Sequence, residues 1–384
     1  SFMVSKERCW TEIDLSALKE NYALLKKMVP TDCRLMSIVK ADGYGHGAIE
    51  VAKALADDQE GWLGVACLEE ALALRQAKIQ KPILILGYTA PQYAEILAKE
   101  QITQAIISPD YAAALAAAAR VASVRVSVHV AVDTGMSRIG YLVNEETFLE
   151  AVSKITELYC DPVFHVTGIF THFSSAYEQT QDAKDYTALQ FQRFTRICAA
   201  LKQKGIEPGL RHCSNSPATV NCPEYALDMC RVGTVLYGLL PPTAMTVELP
   251  FKPVLSWKAK VAMLKTLSQD TPVSYSRTAY TQRETRLAVV TAGDADGYFR
   301  QLTNLGQVSI RGHICPVVGR VCMDMFMVDV TDHSDIRPGD DVLLLGGTGE
   351  GSIPCSLLYK PIGIGPSAVT CNIRGRVSRF FVNV

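Results

Sequence analysis

The 384-residue sequence predicts an α/β chain, a (β/α)8 TIM-like barrel followed by a C-terminal all-β domain. Three observations carry this. Eight short apolar runs alternate with helical stretches up to the text "YGLLPPTAM" (237–245). At that point the texture changes. Beyond it, short alternating strands are separated by Gly, Pro and Asp turns.

The eight runs are "LMSIVK" (35–40), "WLGVA" (62–66), "PILILG" (82–87), "QAIIS" (104–108), "VRVSVHVAVD" (124–133), "VTGIFTH" (166–172), "LRHCSN" (210–215) and "DMCRVG" (228–233). Amphipathic or Ala-rich segments such as "CLEEALALRQAK" and "YAAALAAAARVA" separate them. A closed barrel satisfies this pattern, and so does an open doubly wound sheet; periodicity alone does not choose. Residues 15–245 are expected to form the barrel and 246–384 the β domain. A strand at 8–14, before a helix start at Ser16, is expected to join the later sheet.

Composition narrows the function classes. A chain that is 48% hydrophobic buries a large core, and a net charge of −1 offers no field for nucleic acid. Twelve cysteines lie scattered without a CxxC or a zinc-ligand cluster, which fits reduced thiols in a cytoplasmic protein. No apolar run reaches the roughly 20 residues that span a bilayer. No signal peptide is read, and the opening "SFM" reads as an expression remnant. A membrane association is therefore expected only through a further domain upstream.

Chemistry in such a barrel sits at the C-terminal strand ends, with phosphate often bound after the seventh and eighth strands. Those positions hold Lys40 before "ADGYGHG", the segment "DTGMSR" with Arg138, His172, "SNS" with Ser216, and Arg231 with Gly233 and Thr234. Taken singly, each has an ordinary reading: a snorkelling lysine, a core histidine, an ion-paired arginine, a turn. Taken together they suggest one chemistry. A lysine amine condenses with an aldehyde, a hydroxyl and loop N–H groups cradle a phosphate, and an arginine keeps a ring nitrogen unprotonated. That combination describes pyridoxal phosphate.

The sequence resembles the alanine racemase family along essentially its whole length. The motifs that carry the resemblance are "VKADGYGHG", "DTGMSRIG", "GIFTHFSSA", "HCSNSPA", "CRVGTVLYG", "PVSYSRTAY", "DADGYFR", "GRVCMDMFMVDV" and "RVSRFF". The resemblance implies a racemase with pyridoxal 5′-phosphate, supplying a D-amino acid for cell-wall precursors. Lys40 would carry the cofactor and act as base on one face of the substrate Cα. Tyr275 of the partner subunit would act on the other face, so a homodimer with shared active sites is implied. Tyr44, Ser216, Gly233 and Thr234 would hold the phosphate, Arg231 the pyridine nitrogen and Arg138 the phenolic oxygen. His172 would bond the catalytic tyrosine, and the backbone of Met323 of the partner subunit would receive the substrate carboxylate.

Three positions depart from the family pattern. Ala131 stands where a lysine usually braces the arginine at Arg138. Asp294 replaces the tyrosine of "GYADGY". Ser367 replaces an entrance tyrosine, with Tyr359 or Asn372 as alternatives if the register slips. Small polar groups in place of aromatic gates suit serine as well as alanine, as in serine racemases of the vancomycin-resistance type. A racemase of longer or cationic amino acids is the second reading, favoured by the charge of Asp294. A non-catalytic carrier of the cofactor is the third, and the whole β domain with Tyr275 argues against it.

Overall fold

The computed structural model describes residues 5–384; the "SFM" start lies outside them. The chain divides into two compact units. One comprises Asn21–Leu236 with Pro242–Pro250, and the other comprises the residues up to Glu20 with Tyr237–Pro241 and Phe251–Val384.

The first strand of the chain, β1 (Cys9–Asp14), belongs to the second unit. The first unit begins its sheet with β2 (Arg34–Ile38), followed by β3 (Trp62–Val65), β4 (Ile83–Ile85), β5 (Thr103–Ile106), β6 (Val126–Asp133), β7 (Phe164–Phe170), β8 (Leu210–His212) and β9 (Met229–Val232). Each pairs in parallel with the next. β9 then returns to β2, with Arg231 opposite Met36. The sheet is a closed eight-stranded barrel, which settles the choice against an open sheet. β3, β4, β5 and β9 are buried at every residue, as parallel strands covered on both faces require.

Helices follow the strands in turn: α2 (Ala48–Ala54), α3 (Leu68–Gln76), α4 (Ala94–Lys99), α5 (Pro109–Ala122), α6 (Phe148–Cys160), α7 (Gln181–Gln203) and α8 (Ser216–Asn221). Local chemistry starts them. Ser108 accepts the N–H of Tyr111 at 3.0 Å and Pro109 occupies the first turn of α5. Ahead of these, α1 (Leu15–Met28) begins one residue before the expected Ser16, because the Asp14 carboxylate accepts the Ala17 N–H at 3.0 Å.

The second unit is a largely antiparallel sheet. Its strands are β1, β10 (Leu255–Leu267), β11 (Thr285–Val290), β12 (Gln307–Ile310), β13 (His313–Val318), β14 (Phe326–Asp329), β15 (Asp341–Leu345) and β16 (Ser378–Val382). Their spatial order is β11-β14-β13-β12-β15-β10-β1-β16, and β11 also pairs with β10. β1 lies between β10, antiparallel, and β16, parallel. Trp10, Trp257, Tyr298 and Phe326 fill the core, with the last two stacked at 4.4 Å. Two short helices, α9 (Ser356–Tyr359) and α10 (Pro366–Cys371), precede β16. No helix among the described residues is long and apolar enough to cross a membrane.

Candidate active site

Lys40 lies two residues beyond the end of β2, where the backbone leaves the sheet in an unusual way. Ala41, Asp42, Gly43, Tyr44 and Gly45 take φ values of 50°, 53°, 64°, 54° and 79°. This is a left-handed helical turn. Left-handed backbone costs about 1–2 kcal/mol for each residue with a Cβ, here Ala41, Asp42 and Tyr44. Strain of this kind persists where the surroundings impose it and gathers at functional sites. The turn buries the Tyr44 ring and carries its hydroxyl to the loop after β9. A Cβ on Gly233 would stand 2.5 Å from that oxygen.

Across the β9–β2 seam, the Ser216 hydroxyl accepts the N–H groups of Gly233 (3.0 Å) and Val235 (3.2 Å). Ser216 opens α8, and Asn215 caps that helix by accepting the Ala218 N–H. Thr234 shares a hydrogen bond of 3.2 Å with the hydroxyl of Tyr177, a half-exposed ring beyond β7. Tyr44, Ser216, Gly233 and Thr234 therefore come together as hydroxyls and a side-chain-free backbone around one hollow. Tyr177 joins them unforeseen: it follows "FSSA" with no pattern of its own.

Beside the hollow, Arg231 is buried without a carboxylate partner among the described residues. Its guanidinium donates to His212 Nδ1 (2.8 Å), His172 Nδ1 (3.1 Å) and the Thr171 carbonyl (2.7 Å). Burial pulls its pKa down to about 10. Arginine only donates, so both imidazoles accept at Nδ1 and carry their proton on Nε2. His212 Nε2 then donates to His129 Nδ1 at 2.9 Å. Burial, with Arg231 adding its charge, lowers His129 and His172 to about 3 and His212 well below its ordinary range. All three rings are neutral at pH 7. His129 is a second residue missed in the sequence, although a histidine inside the alternating run "VSVHVAVD" is a visible irregularity.

Arg138 leaves β6 on a turn organised by Asp133, whose carboxylate accepts the N–H groups of Gly135 and Ser137, each at 3.0 Å. Arg138 is exposed, and its positive charge reaches both His172 and Arg231, lowering each. Ala131 is buried in β6 and offers Arg138 no anion.

The remaining candidates lie in the second unit. Tyr275 is 67% exposed, in a tight turn where Ser274, Ser276 and Arg277 all have positive φ. Ser274 ties that turn to the segment before Met323 by donating to the Arg320 carbonyl at 2.6 Å. Met323 is itself exposed, and its carbonyl accepts the Ala295 N–H, while Asp294 N–H donates to Cys322. Gly293 permits this approach: a Cβ there would lie 2.5 Å from the Met323 carbonyl oxygen. Asp294 is thus held beside Met323. Ser367, on α10, is half-buried; Asn372 just beyond it donates to the Gly297 carbonyl at 2.9 Å. The Tyr359 ring is buried. The organising residue here is the fully buried Asp296, paired with Arg8 and with Arg376 (2.8 Å), which also bonds Asp324 at 2.8 Å. Asp296 sits in "DADGYFR", but its role as an anchor is not readable from the motif.

The hollow of the first unit fits a phosphorylated pyridine aldehyde. Only a residue without a Cβ at Gly233 lets the Tyr44 hydroxyl approach that loop, the Ser216 hydroxyl meets the same loop, and the buried cation nearby donates to neutral acceptors. No metal-binding group of His, Cys, Asp or Glu occurs among the described residues.

Comparison with known proteins agrees with the geometry. Residues 13–241 match the alanine racemase N-terminal domain model and residues 254–381 the C-terminal domain model. An alanine racemase of Desulfovibrio desulfuricans is 43% identical over 384 residues, covering 99% of this chain and 100% of that protein. One from Clostridium perfringens is 39% identical, covering 97% of this chain and 95% of that protein. Among solved structures, the alanine racemase of Streptomyces lavendulae superposes with a TM-score of 0.89 at 31% identity, covering 99% and 98% of the two chains. That of Bacillus anthracis, with bound L-Ala-P, gives 0.86 at 30% identity, covering 99% and 96%. With both domain models matched and relatives alike along their full length, the chain belongs to the alanine racemase family, whose members are pyridoxal-phosphate-dependent amino-acid racemases.

Proposed function

We propose that the protein interconverts the L and D forms of alanine and serine with pyridoxal 5′-phosphate, by a two-base mechanism using Lys40 and Tyr275 of the partner subunit. The observation that carries this reading is Arg231, a buried cation that meets imidazoles and carbonyls but no carboxylate among the described residues. A carboxylate at that place would hold a ring nitrogen protonated; a guanidinium leaves it a neutral acceptor.

When bound, the cofactor supplies the aldehyde that captures the substrate amine and the π system that takes up the Cα electron pair. The chain's own residues then handle the proton. Lys40 removes or returns it on one face. The phenol of the partner's Tyr275 does so on the other, and the two exchange roles when the reaction reverses. His172, fixed by Arg231 with its proton on Nε2, is oriented to donate to an ionised phenol and so eases that proton's departure. Tyr44, Ser216 and the Gly233–Thr234 loop anchor the phosphate. Arg138 faces the phenolic oxygen, and the backbone of Met323 of the partner subunit receives the substrate carboxylate.

The exposure of Tyr275, Met323, Met325 and Tyr280 supports a homodimer, since that group of large side chains lies uncovered on a single chain. Asp294 and Ser367 support the inclusion of serine. A buried hydroxyl left unpaired costs about 1–3 kcal/mol, and polar side chains remove that penalty. The product would serve as a D-amino acid for cell-wall precursors.

The test is racemisation of both enantiomers of alanine and serine, with Tyr275→Phe compared in heavy water. Removing a general base costs about 100- to 10,000-fold. Proton exchange from one enantiomer should collapse while the cofactor's absorbance stays. Undiminished racemisation in both directions overturns the two-base reading.

A further inference from the structure

The left-handed turn after Lys40 is laced with hydrogen bonds. Within the turn, Gly43 N–H donates to Val39 at 2.8 Å, Gly45 N–H to Ala41 at 3.0 Å and Gly47 N–H to Asp42 at 2.8 Å. The Asp42 carboxylate accepts the Ala48 N–H at 2.9 Å, joining the turn to α2. Behind the turn, side chains leave a cleft of about 330 Å³ whose lining includes Val39, Asp42, Ile49, Val65, Glu70 and Leu74. On that side the turn faces open space rather than packed side chains.

One carboxylate bridges that gap. Glu70, in the first turn of α3, accepts the Ala41 N–H on Oε2 at 2.5 Å and the Ala66 N–H on Oε1 at 2.8 Å. Ala41 is the residue next to Lys40, and Ala66 follows the neighbouring strand β3. Glu70 thereby fastens the start of the strained turn to the adjacent strand end, with both oxygens committed. Any rotation of the turn moves Lys40 and, through it, the Tyr44 hydroxyl that lies against Gly233.

We propose that Glu70 is a positioning residue for Lys40 and Tyr44, acting through the Ala41 amide without touching substrate or cofactor. This rests on the reading of Lys40 as the cofactor-bearing base, and the test separates the two. Wild type, Glu70→Gln and Glu70→Ala are prepared as full-length holoenzyme. Borohydride trapping and peptide mapping locate the cofactor; label on another lysine in wild type defeats the Lys40 reading whatever the Glu70 variants do. With Lys40 labelled, Glu70→Ala should lower kcat for alanine roughly 10- to 100-fold, the scale of an ångström-sized misplacement, with KM changed far less. It should also weaken pyridoxal phosphate binding and displace the pH profile of kcat. Glu70→Gln, which keeps one accepting oxygen, should fall between. If Glu70→Ala does not fold, Glu70→Gln and Glu70→Asp decide. Variants that melt earlier but keep kcat, cofactor affinity and pH profile within twofold of wild type overturn the proposal, because Glu70 is then only structural.

Discussion

Gly233→Ala probes the phosphate hollow with a single methyl group. The φ of Gly233 lies outside the left-handed region, so alanine adopts its backbone without strain and the substitution reports on space alone. The new Cβ would stand 2.5 Å from the Tyr44 oxygen, 3.1 Å from its Cζ and 3.4 Å from its Cε2. Ordinary contact needs about 3.5 Å or more, so the two must part by about 1 Å. The Tyr44 ring is buried on a left-handed turn, so the clash is relieved by displacing that turn, and its hydroxyl leaves the place where it would meet a phosphate oxygen. A hydrogen bond to a charged group contributes about 1.5–3 kcal/mol, or roughly 10- to 150-fold in cofactor affinity. Titrating apoenzyme with pyridoxal phosphate and following its absorbance reads this directly. Tyr44→Phe removes the clashing atom, so Gly233→Ala added to Tyr44→Phe should cost little more than Tyr44→Phe alone. Wild-type affinity in Gly233→Ala, or full additivity in the double variant, would refute the reasoning.

The buried histidines set an acid limit on stability. Unfolded histidine binds a proton near pH 6.5, whereas His129 and His172 do so only near 3, and His212 is also strongly lowered. The unfolded state therefore gains protons first, and stability present above pH 6.5 is lost as pH falls toward 3, by up to about 1.4 kcal/mol per pH unit per histidine. Urea midpoints at pH 7, 6 and 5 check this; a flat series contradicts it. Mixing Tyr275→Phe with Lys40→Ala should restore part of the activity, because one site of a mixed dimer keeps both bases; no recovery with subunit exchange verified counts against shared sites. Asp294→Tyr or Ser367→Tyr should lower serine turnover more than alanine turnover, and equal losses would make both positions structural.

The barrel is legible because short, mostly apolar runs recur between helical stretches, and strands such as β3 and β4 are buried at every residue. Closure is less legible: nothing in "DMCRVG" announces that it pairs with "LMSIVK", and only the register of Arg231 on Met36 reveals it. Lys40, Ser216, Arg231, Gly233 and Thr234 are singled out as candidates by their strand ends, where barrels gather chemistry, and Tyr44 by the family resemblance. The left-handed turn is not, since Ala41 and Asp42 are residues whose preferences point to ordinary backbone. Glu70 and His129 escape for a related reason. An acid in a first helical turn and a histidine in a strand have common explanations, and their partners, Ala66, Ala41 and His212, are fixed by the fold rather than by spacing.

Closure at β9 against β2 also orders the life of the chain. The Lys40 turn leaves the ribosome early, but the Arg231 and Gly233 side of the hollow arrives with the last barrel strand. Until that strand docks, β2 and β8 each present an open edge, a template for wrong pairing. Residues from both sides of the seam, Tyr44 and Gly233, would hold the cofactor's phosphate, so a cofactor held by the closed barrel would stabilise that closure by mass action. A seam variant with normal packing should then lose cofactor affinity and apparent stability together.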